Sequence, residues 1–341
     1  MARKTKSHSA EVTVLGGGSW GTALALLLDG KGCAATLWEF NKELAERLRT
    51  ERENKTFLPG VKVPESITVT SALDEAVAAS DYIVFVVPSH VLRSVARNVV
   101  ECGAENKKIV SATKGIENDS LLRMSEVLLE EIPGLTPDNV AVLSGPSFAA
   151  EVAREIPTTV VAASAVEHYS REIQQLFMCP TFRVYASTDI VGVELGGSFK
   201  NVIAIATGIL DGIGWGDNTK AALLTRALVE MTRLGEKMGA KKTTFSGLSG
   251  AGDLILTCMG KLSRNLHVGR EIGKGRTLQE ILDEMVMIAE GVKTTRSVHQ
   301  LSRREGVETP IMEQVYEVLF RSKSPKEAVL ELMTREAKAE H

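Results

Sequence analysis

The chain reads as a doubly wound α/β domain followed by an almost wholly helical one, and three observations predict that class. Short β-branched runs alternate with helical spacing over the first half of the sequence. Beyond about Asp189 the strand-like runs cease and the apolar spacing becomes helical. The length of 341 residues exceeds what a single hydrophobic core usually organises, so two domains are expected.

Candidate strands fall at 12–15, 35–38, 67–70, 82–87, 108–111 and 140–143, with further ones at 157–160 and 182–185. Helical patterns lie between several of them, at 21–28, 42–50, 73–79, 91–99 and 120–129. Apolar strands separated by helices imply a mainly parallel sheet covered on both faces. The second half offers helices at 191–210, 220–238, 278–287, 294–303 and 310–320. Ser324-Pro325-Lys326-Glu327 sets a hydroxyl cap, a first-turn proline and an acidic third position in register, and Thr277 with Glu280 makes a similar capping pair. The expected division is a flexible extension at 1–10, an α/β domain at 11–190 and a helical domain at 191–341.

Composition narrows the class further. The 44% apolar and 24% charged content is that of a globular protein, and 40 basic against 43 acidic side chains give a formal net charge of -3. That balance gives no global reason to expect a nucleic-acid partner. No apolar stretch approaches the roughly 18 residues that suggest a membrane span, and the basic, polar first residues lack the apolar run of an export signal. Cys33, Cys102, Cys179 and Cys258 are widely spaced, which favours buried thiols in a reducing cytoplasm over a disulfide framework. The histidines are isolated and predict no metal site.

The first chemical signal follows the first strand. In Val12-Thr-Val-Leu-Gly-Gly-Gly-Ser-Trp-Gly21, the residues Gly16, Gly18 and Gly21 satisfy GxGxxG. The first glycine permits the turn, the second leaves room for a pyrophosphate, and the third allows the helix to pack closely on the sheet. Backbone N–H groups at the helix start can then hold the negative charge. Glu39, after the second strand, is placed to accept hydrogen bonds from adenosine ribose hydroxyls. Phe40 and Asn41 follow it in place of an arginine, so NAD is preferred over NADP.

Further signals lie at strand ends and helix entrances. Thr113-Lys114-Gly115 and Ser144-Gly145-Pro146-Ser147-Phe148-Ala149 each follow a strand, where parallel sheets expose their ligands. Glu194-Leu-Gly-Gly-Ser-Phe-Lys-Asn201 puts Lys200, an odd charge at the start of an apolar helix, beside small residues that allow close approach. Gly247 to Asp253 leads into Ser263-Arg264-Asn265, where a rigid guanidinium beside a hydroxyl and an amide suits a phosphate or carboxylate.

In this order, and with Glu290-Gly-Val292 and Pro310-Ile311 added, these motifs resemble the bacterial-type NAD(P)-dependent glycerol-3-phosphate dehydrogenases, from Glu11 almost to Glu340. The resemblance implies a Rossmann-type domain followed by a helical domain similar to the C-terminal domain of 6-phosphogluconate dehydrogenase. It implies reversible reduction of dihydroxyacetone phosphate to sn-glycerol 3-phosphate, a cytoplasmic homodimer, and a place in glycerophospholipid synthesis. Carried over, it makes Lys200 the catalytic proton donor and acceptor. Lys114, Gly145, Ser147, Lys200, Asp253, Ser263, Arg264 and Asn265 become substrate-side residues. Ser19, Trp20, Lys114, Ala149, Arg264 and Glu290 become cofactor-side contacts. Two departures touch loop geometry: Ala227 stands where a glycine is common after Thr225-Arg226, and Gly260-Lys261 precede Leu262 where smaller, uncharged neighbours are usual. The same architecture could serve a dehydrogenase for a 3-hydroxy acid or phosphorylated sugar acid, against which Lys200-Asn201 with Ser263-Arg264-Asn265 argues, or a noncatalytic dinucleotide sensor, which would not need Lys200, Asp253 and Arg264 together.

Overall fold

In chain order the first half comprises β1 (Glu11–Leu15), α1 (Ser19–Gly30), β2 (Ala34–Trp38), α2 (Lys42–Glu51), β3 (Thr68–Thr70), α3 (Leu73–Ala78), β4 (Tyr82–Phe85), α4 (Leu92–Glu101), β5 (Lys108–Ser111), α5 (Met124–Glu131), β6 (Val140–Ser144), α6 (Ala149–Val152), β7 (Thr158–Ser164), α7 (Glu167–Phe177) and β8 (Phe182–Ser187). The second half comprises α8 (Ile190–Ile213), α9 (Asp217–Lys237), α10 (Lys242–Phe245), α11 (Asp253–Met259), α12 (Arg264–Gly273), α13 (Leu278–Glu284), α14 (Glu290–Glu305), α15 (Pro310–Phe320) and α16 (Pro325–Met333). This is a computed structural model describing residues 10–285, 287, 289–337 and 339; the expected extension at 1–10 lies outside them except for Ala10.

The eight strands form one sheet in the order β3-β2-β1-β4-β5-β6-β7-β8. Neighbours run parallel except β6 and β7, which are antiparallel. Strand alternation sends successive residues to opposite faces. Thus Val84 and Val110 join α1 and α7 in one apolar layer, while Ile83, Phe85 and Ile109 join α4 and α5 in the other. The strand order reverses between β1 and β4, which opens a crevice outside their C-terminal ends, the usual ligand position in such sheets.

Several local expectations change. Helix α5 starts four residues later than its spacing suggested, because Leu121 adopts φ 62° and Ile116 bridges to Arg123 across the turn. Helices α6, α7, α10, α11 and α12 have no counterpart in the periodic pattern. The Thr277–Glu280 capping box forms, but Ser324 caps α16 without a side-chain hydrogen bond, leaving Pro325 to start that helix.

Helix α8 corrects the reading of apolar runs: by length and composition it could cross a membrane, with a mean hydropathy of 1.3 over its best window. It is instead the buried axis of the helical half, with every residue from Gly192 to Leu210 buried. Its closest neighbour is α12. Added Cβ atoms on Gly208 and Gly212 would lie 2.2 Å from the carbonyl oxygens of Leu266 and Arg270. On Gly269 and Gly273 they would lie 2.0 and 2.4 Å from those of Ile205 and Ile209. The two helices run parallel in a fixed register, Ile205 beside Gly269 and Ile209 beside Gly273. One turn earlier, that register sets Asn201 against Asn265, the residues that follow Lys200 and Arg264 in sequence.

Candidate active site

The turn after β1 fits its intended use at each glycine. Gly16 has φ 120°, and a Cβ there would sit 2.9 Å from the Val86 carbonyl oxygen, so only glycine suits both the conformation and the space. A Cβ on Gly21 would lie 1.9 Å from the Gly16 oxygen, which is the close helix–strand approach expected of the third glycine. Gly18 faces open space. Gly17, to which the sequence reading gave no role, matters as well: its N–H donates to Glu39 Oε2 at 2.9 Å, and a Cβ would strike that carboxylate.

These residues fit a bound dinucleotide. Ser19 and Trp20 open α1, whose N-terminus has no side-chain cap and no acidic residue in its first turn, leaving N–H groups for an anion. The buried Trp20 Nε1 has no acceptor among the described residues. Glu39 stands at the end of β2, but its role is wider than expected. Besides Gly17 it accepts from the Asn41 N–H at 2.8 Å, so it fixes the glycine turn and the entrance to α2 together. Each oxygen keeps a lone pair for a ribose hydroxyl. Beside it Phe40 is 78% exposed, edge-on to Trp38.

Across the crevice stands the lysine that the sequence singled out. Lys200, on α8, is buried, and its Nζ donates to Asp253 Oδ1 and Thr257 Oγ1, both at 2.7 Å. Asp253 opens α11 and is 1% exposed. Its Oδ2 accepts from Lys114 Nζ at 2.7 Å, and Lys114 also donates to the Gly145 carbonyl at 3.1 Å. One carboxylate therefore joins two ammonium groups from the two halves of the chain. Each ammonium has three N–H donors and spends two, so each retains one for a ligand. Burial pushes the Lys200 pKa down to about 8; Asp253 opposes that shift and Lys114 reinforces it.

The other expected residues divide into those that face the cleft and those that hold it. Ser147 Oγ donates to the Gly145 carbonyl at 3.1 Å, shaping the turn after β6, and Ala149 opens α6. Arg264 begins α12 with no hydrogen bond or ion pair to the described residues, its guanidinium fork uncommitted. Ser263 and Asn265 are committed: Ser263 Oγ caps α12 by accepting from the Leu266 N–H at 3.2 Å. Asn265 donates to Asn201 Oδ1 and accepts from the Gly291 N–H, each at 2.9 Å. Glu290 accepts from Ser89 Oγ at 2.6 Å, tying α14 to the loop after β4, and burial raises its pKa.

Sequence reasoning missed Thr257, whose signal was its position one turn after Asp253 in the same helix. It also missed Ser89, and the buried clamp in which Glu194 accepts from Ser125 N–H and Oγ at 2.8 and 2.6 Å and pairs with Arg123 at 2.5 Å. A lone glutamate in the apolar run of α8 was the available clue.

A glycine turn at the reversal of a parallel sheet, joined to a helical half that buries a charge-paired lysine, defines the class: Rossmann-type, dinucleotide-dependent oxidoreductases. Residues 11–170 match the family model described as NAD-dependent glycerol-3-phosphate dehydrogenase N-terminus, and residues 189–330 match its C-terminus counterpart. A glycerol-3-phosphate dehydrogenase [NAD(P)+] of Syntrophotalea carbinolica is 54% identical over 329 residues, covering 96% of this chain and 99% of that one. One from Geobacter sp. strain M21 is 54% identical over 330 residues, covering 97% and 98%. The crystal structure of glycerol-3-phosphate dehydrogenase from Coxiella burnetii superposes with a TM-score of 0.92 at 38% identity, covering 96% of this chain and all of that one. The chain belongs to the NAD-dependent glycerol-3-phosphate dehydrogenase family.

Proposed function

We propose that this protein reversibly reduces dihydroxyacetone phosphate to sn-glycerol 3-phosphate with NAD(P)H, supplying the backbone for glycerophospholipid synthesis in the cytoplasm. The observation that carries the reading is the buried Lys200–Asp253–Lys114 cluster, in which one carboxylate joins ammonium groups from the two halves of the chain. We divide the chain at residue 190 into a cofactor-binding part (11–190) and a substrate and catalytic part (191–341), acting as a homodimer.

The bound cofactor supplies the hydride that reduces the ketone carbon. Negative charge then develops on the substrate oxygen, and Lys200 gives it a proton through its remaining N–H; in alcohol oxidation Lys200 takes that proton back. A lysine with a pKa of about 8 can do both near neutral pH, whereas one at the ordinary value of 10.5 would seldom be free to accept. Thr257 and Asp253 aim the ammonium, and Lys114 adds positive charge on the cofactor side of the same carboxylate. Arg264 offers a planar fork to the phosphate, while Gly145, Ser147, Ser263 and Asn265 shape the substrate's surroundings. Ser19, Trp20, Ala149 and Glu290 lie on the cofactor side.

Glu39 supports NAD over NADP, because a carboxylate against the ribose repels a 2′-phosphate. Purified enzyme assayed with dihydroxyacetone phosphate, comparing NADH with NADPH, tests reaction and cofactor together. The expected result is turnover with a higher kcat/KM for NADH. Turnover favouring NADPH would overturn the cofactor preference alone, and no turnover with either would overturn the function.

A further inference from the structure

The segment that joins α2 to β3 is no helix or strand, yet it is tied down along its length. Arg52 takes φ 51° to leave α2, and Glu53 bridges to Lys62 in antiparallel fashion. Leu58 and Val63 are buried with Leu24 and Leu28 of α1 in one apolar layer. Within this strap Asn54 is 1% exposed. Its Nδ2 donates to the Gly17 carbonyl at 2.7 Å and to Thr22 Oγ1 at 2.8 Å, and its Oδ1 accepts from the Phe57 N–H at 3.1 Å. Both amide hydrogens are therefore spent, and a flipped amide would set its oxygen against that of Gly17.

Gly17 is thus gripped at both ends, its N–H by Glu39 and its carbonyl by Asn54. The peptide that joins it to Gly18 is trans, so the Gly18 N–H points away from the Gly17 carbonyl. With that carbonyl drawn onto a buried amide, the Gly18 N–H is turned the opposite way, and it has no acceptor among the described residues. We propose that Asn54 is a positioning residue for the cofactor, locking the Gly17–Gly18 peptide so that the Gly18 N–H is preset to donate to the pyrophosphate. The inference rests on the NAD(P)H reading above and deepens it. Three successive glycines have little of their own to fix their backbone, and a turn ordered in advance does not pay for its ordering when the ligand arrives. The second Asn54 bond, to Thr22, ties the strap to α1 and leaves that peptide alone.

The test is the dissociation constant of NADH, read from the fluorescence of the bound nucleotide, for full-length wild type, Asn54→Ser, Asn54→Asp and Thr22→Val. Thermal unfolding compares their stability. Thr22→Val disturbs the same buried network but keeps the bond to Gly17, so it measures the effect of lost packing alone. The expected result is NADH binding weakened roughly 10-fold or more in both Asn54 variants, the loss of one hydrogen bond aimed at a charged group, and by less than about 3-fold in Thr22→Val. Adenosine diphosphate ribose, which keeps the pyrophosphate and lacks the nicotinamide, should lose the same factor. KM for NADH should rise in step, with kcat at saturating NADH near the wild-type value. A wild type that binds neither NADH nor NADPH would overturn the cofactor reading and the proposal with it. Wild-type binding that Asn54→Ser leaves unchanged, or weakens no more than Thr22→Val does, would overturn the role of Asn54 alone. Asn54→Ser, neutral and smaller, carries that decision if the buried carboxylate of Asn54→Asp prevents folding.

Discussion

Lys200 is buried among groups that pull its proton in opposite directions. Burial and Lys114 lower its affinity for a proton, Asp253 raises it, and the balance sets a pKa of about 8. Oxidation of sn-glycerol 3-phosphate needs the neutral amine, so its rate should rise with pH through about 8; reduction needs the ammonium and should fall over the same range. A pH profile of kcat in both directions checks this, and parallel profiles would contradict it. Arg264 gives a separable outcome. On the proposed role its fork takes the phosphate oxygens, so Arg264→Ala should raise KM for dihydroxyacetone phosphate roughly 10- to 10²-fold, the loss of a charged hydrogen-bonded contact. It should also shrink the preference over unphosphorylated dihydroxyacetone. Unchanged discrimination would place the phosphate elsewhere. The identities of Lys200, Asp253 and Arg264 were legible because charged residues beside small ones in apolar surroundings are costly unless used. That Ser263 and Asn265 spend their side-chain atoms inside the protein was not legible, since a motif names residues without their partners.

Elements explain why those residues meet. The strands were readable from β-branched runs, and the glycine turn from its spacing, because each is a local signal. Helix α12 was not, because Arg264 to Gly273 mixes charges with two glycines and has no plain apolar stripe. Its stability comes from backbone contact with α8, a tertiary property that periodicity cannot report. Gly269→Ala would put a methyl 2.0 Å from the Ile205 oxygen, and Gly208→Ala one 2.2 Å from the Leu266 oxygen. Either should separate the helices and cost roughly 1–3 kcal/mol or more, and should reduce kcat by breaking the Asn201–Asn265 contact that fixes the helices carrying Lys200 and Arg264. Ala substitution at Gly275, which has no heavy atom within 4 Å of its Cβ position but φ 97°, should cost stability through backbone strain with little effect on kcat. Chemical denaturation with parallel kinetics separates the two effects; equal kcat in all three variants would contradict the register argument.

At the scale of the molecule, catalysis and stability draw on the same helical half. Glu230 on α9 accepts from the N–H groups of Ile311 and Met312, pinning the start of α15, and burial pushes its pKa up to about 7 from an ordinary 4.5. A group whose folded pKa is raised stabilises fully below the unfolded value and loses that contribution as pH rises through the folded one. The wild type should therefore lose up to roughly 3 kcal/mol between about pH 4.5 and 7 relative to Glu230→Gln. Thermal unfolding of both across that range checks the sign, and a difference that does not change with pH would contradict it. The two-part organisation was legible as a change of texture near Asp189. The buried use of α8 was not, because an apolar helix reads alike whether lipid or protein surrounds it. The central claim is that Lys200 moves the proton in reduction of dihydroxyacetone phosphate. Its most direct test is NADH oxidation by wild type and Lys200→Ala at saturating substrate, with NADH binding measured alongside. The expected outcome is binding within a few-fold and turnover lowered roughly 10²–10⁴-fold; near-normal turnover in the variant would assign the proton transfer to another group.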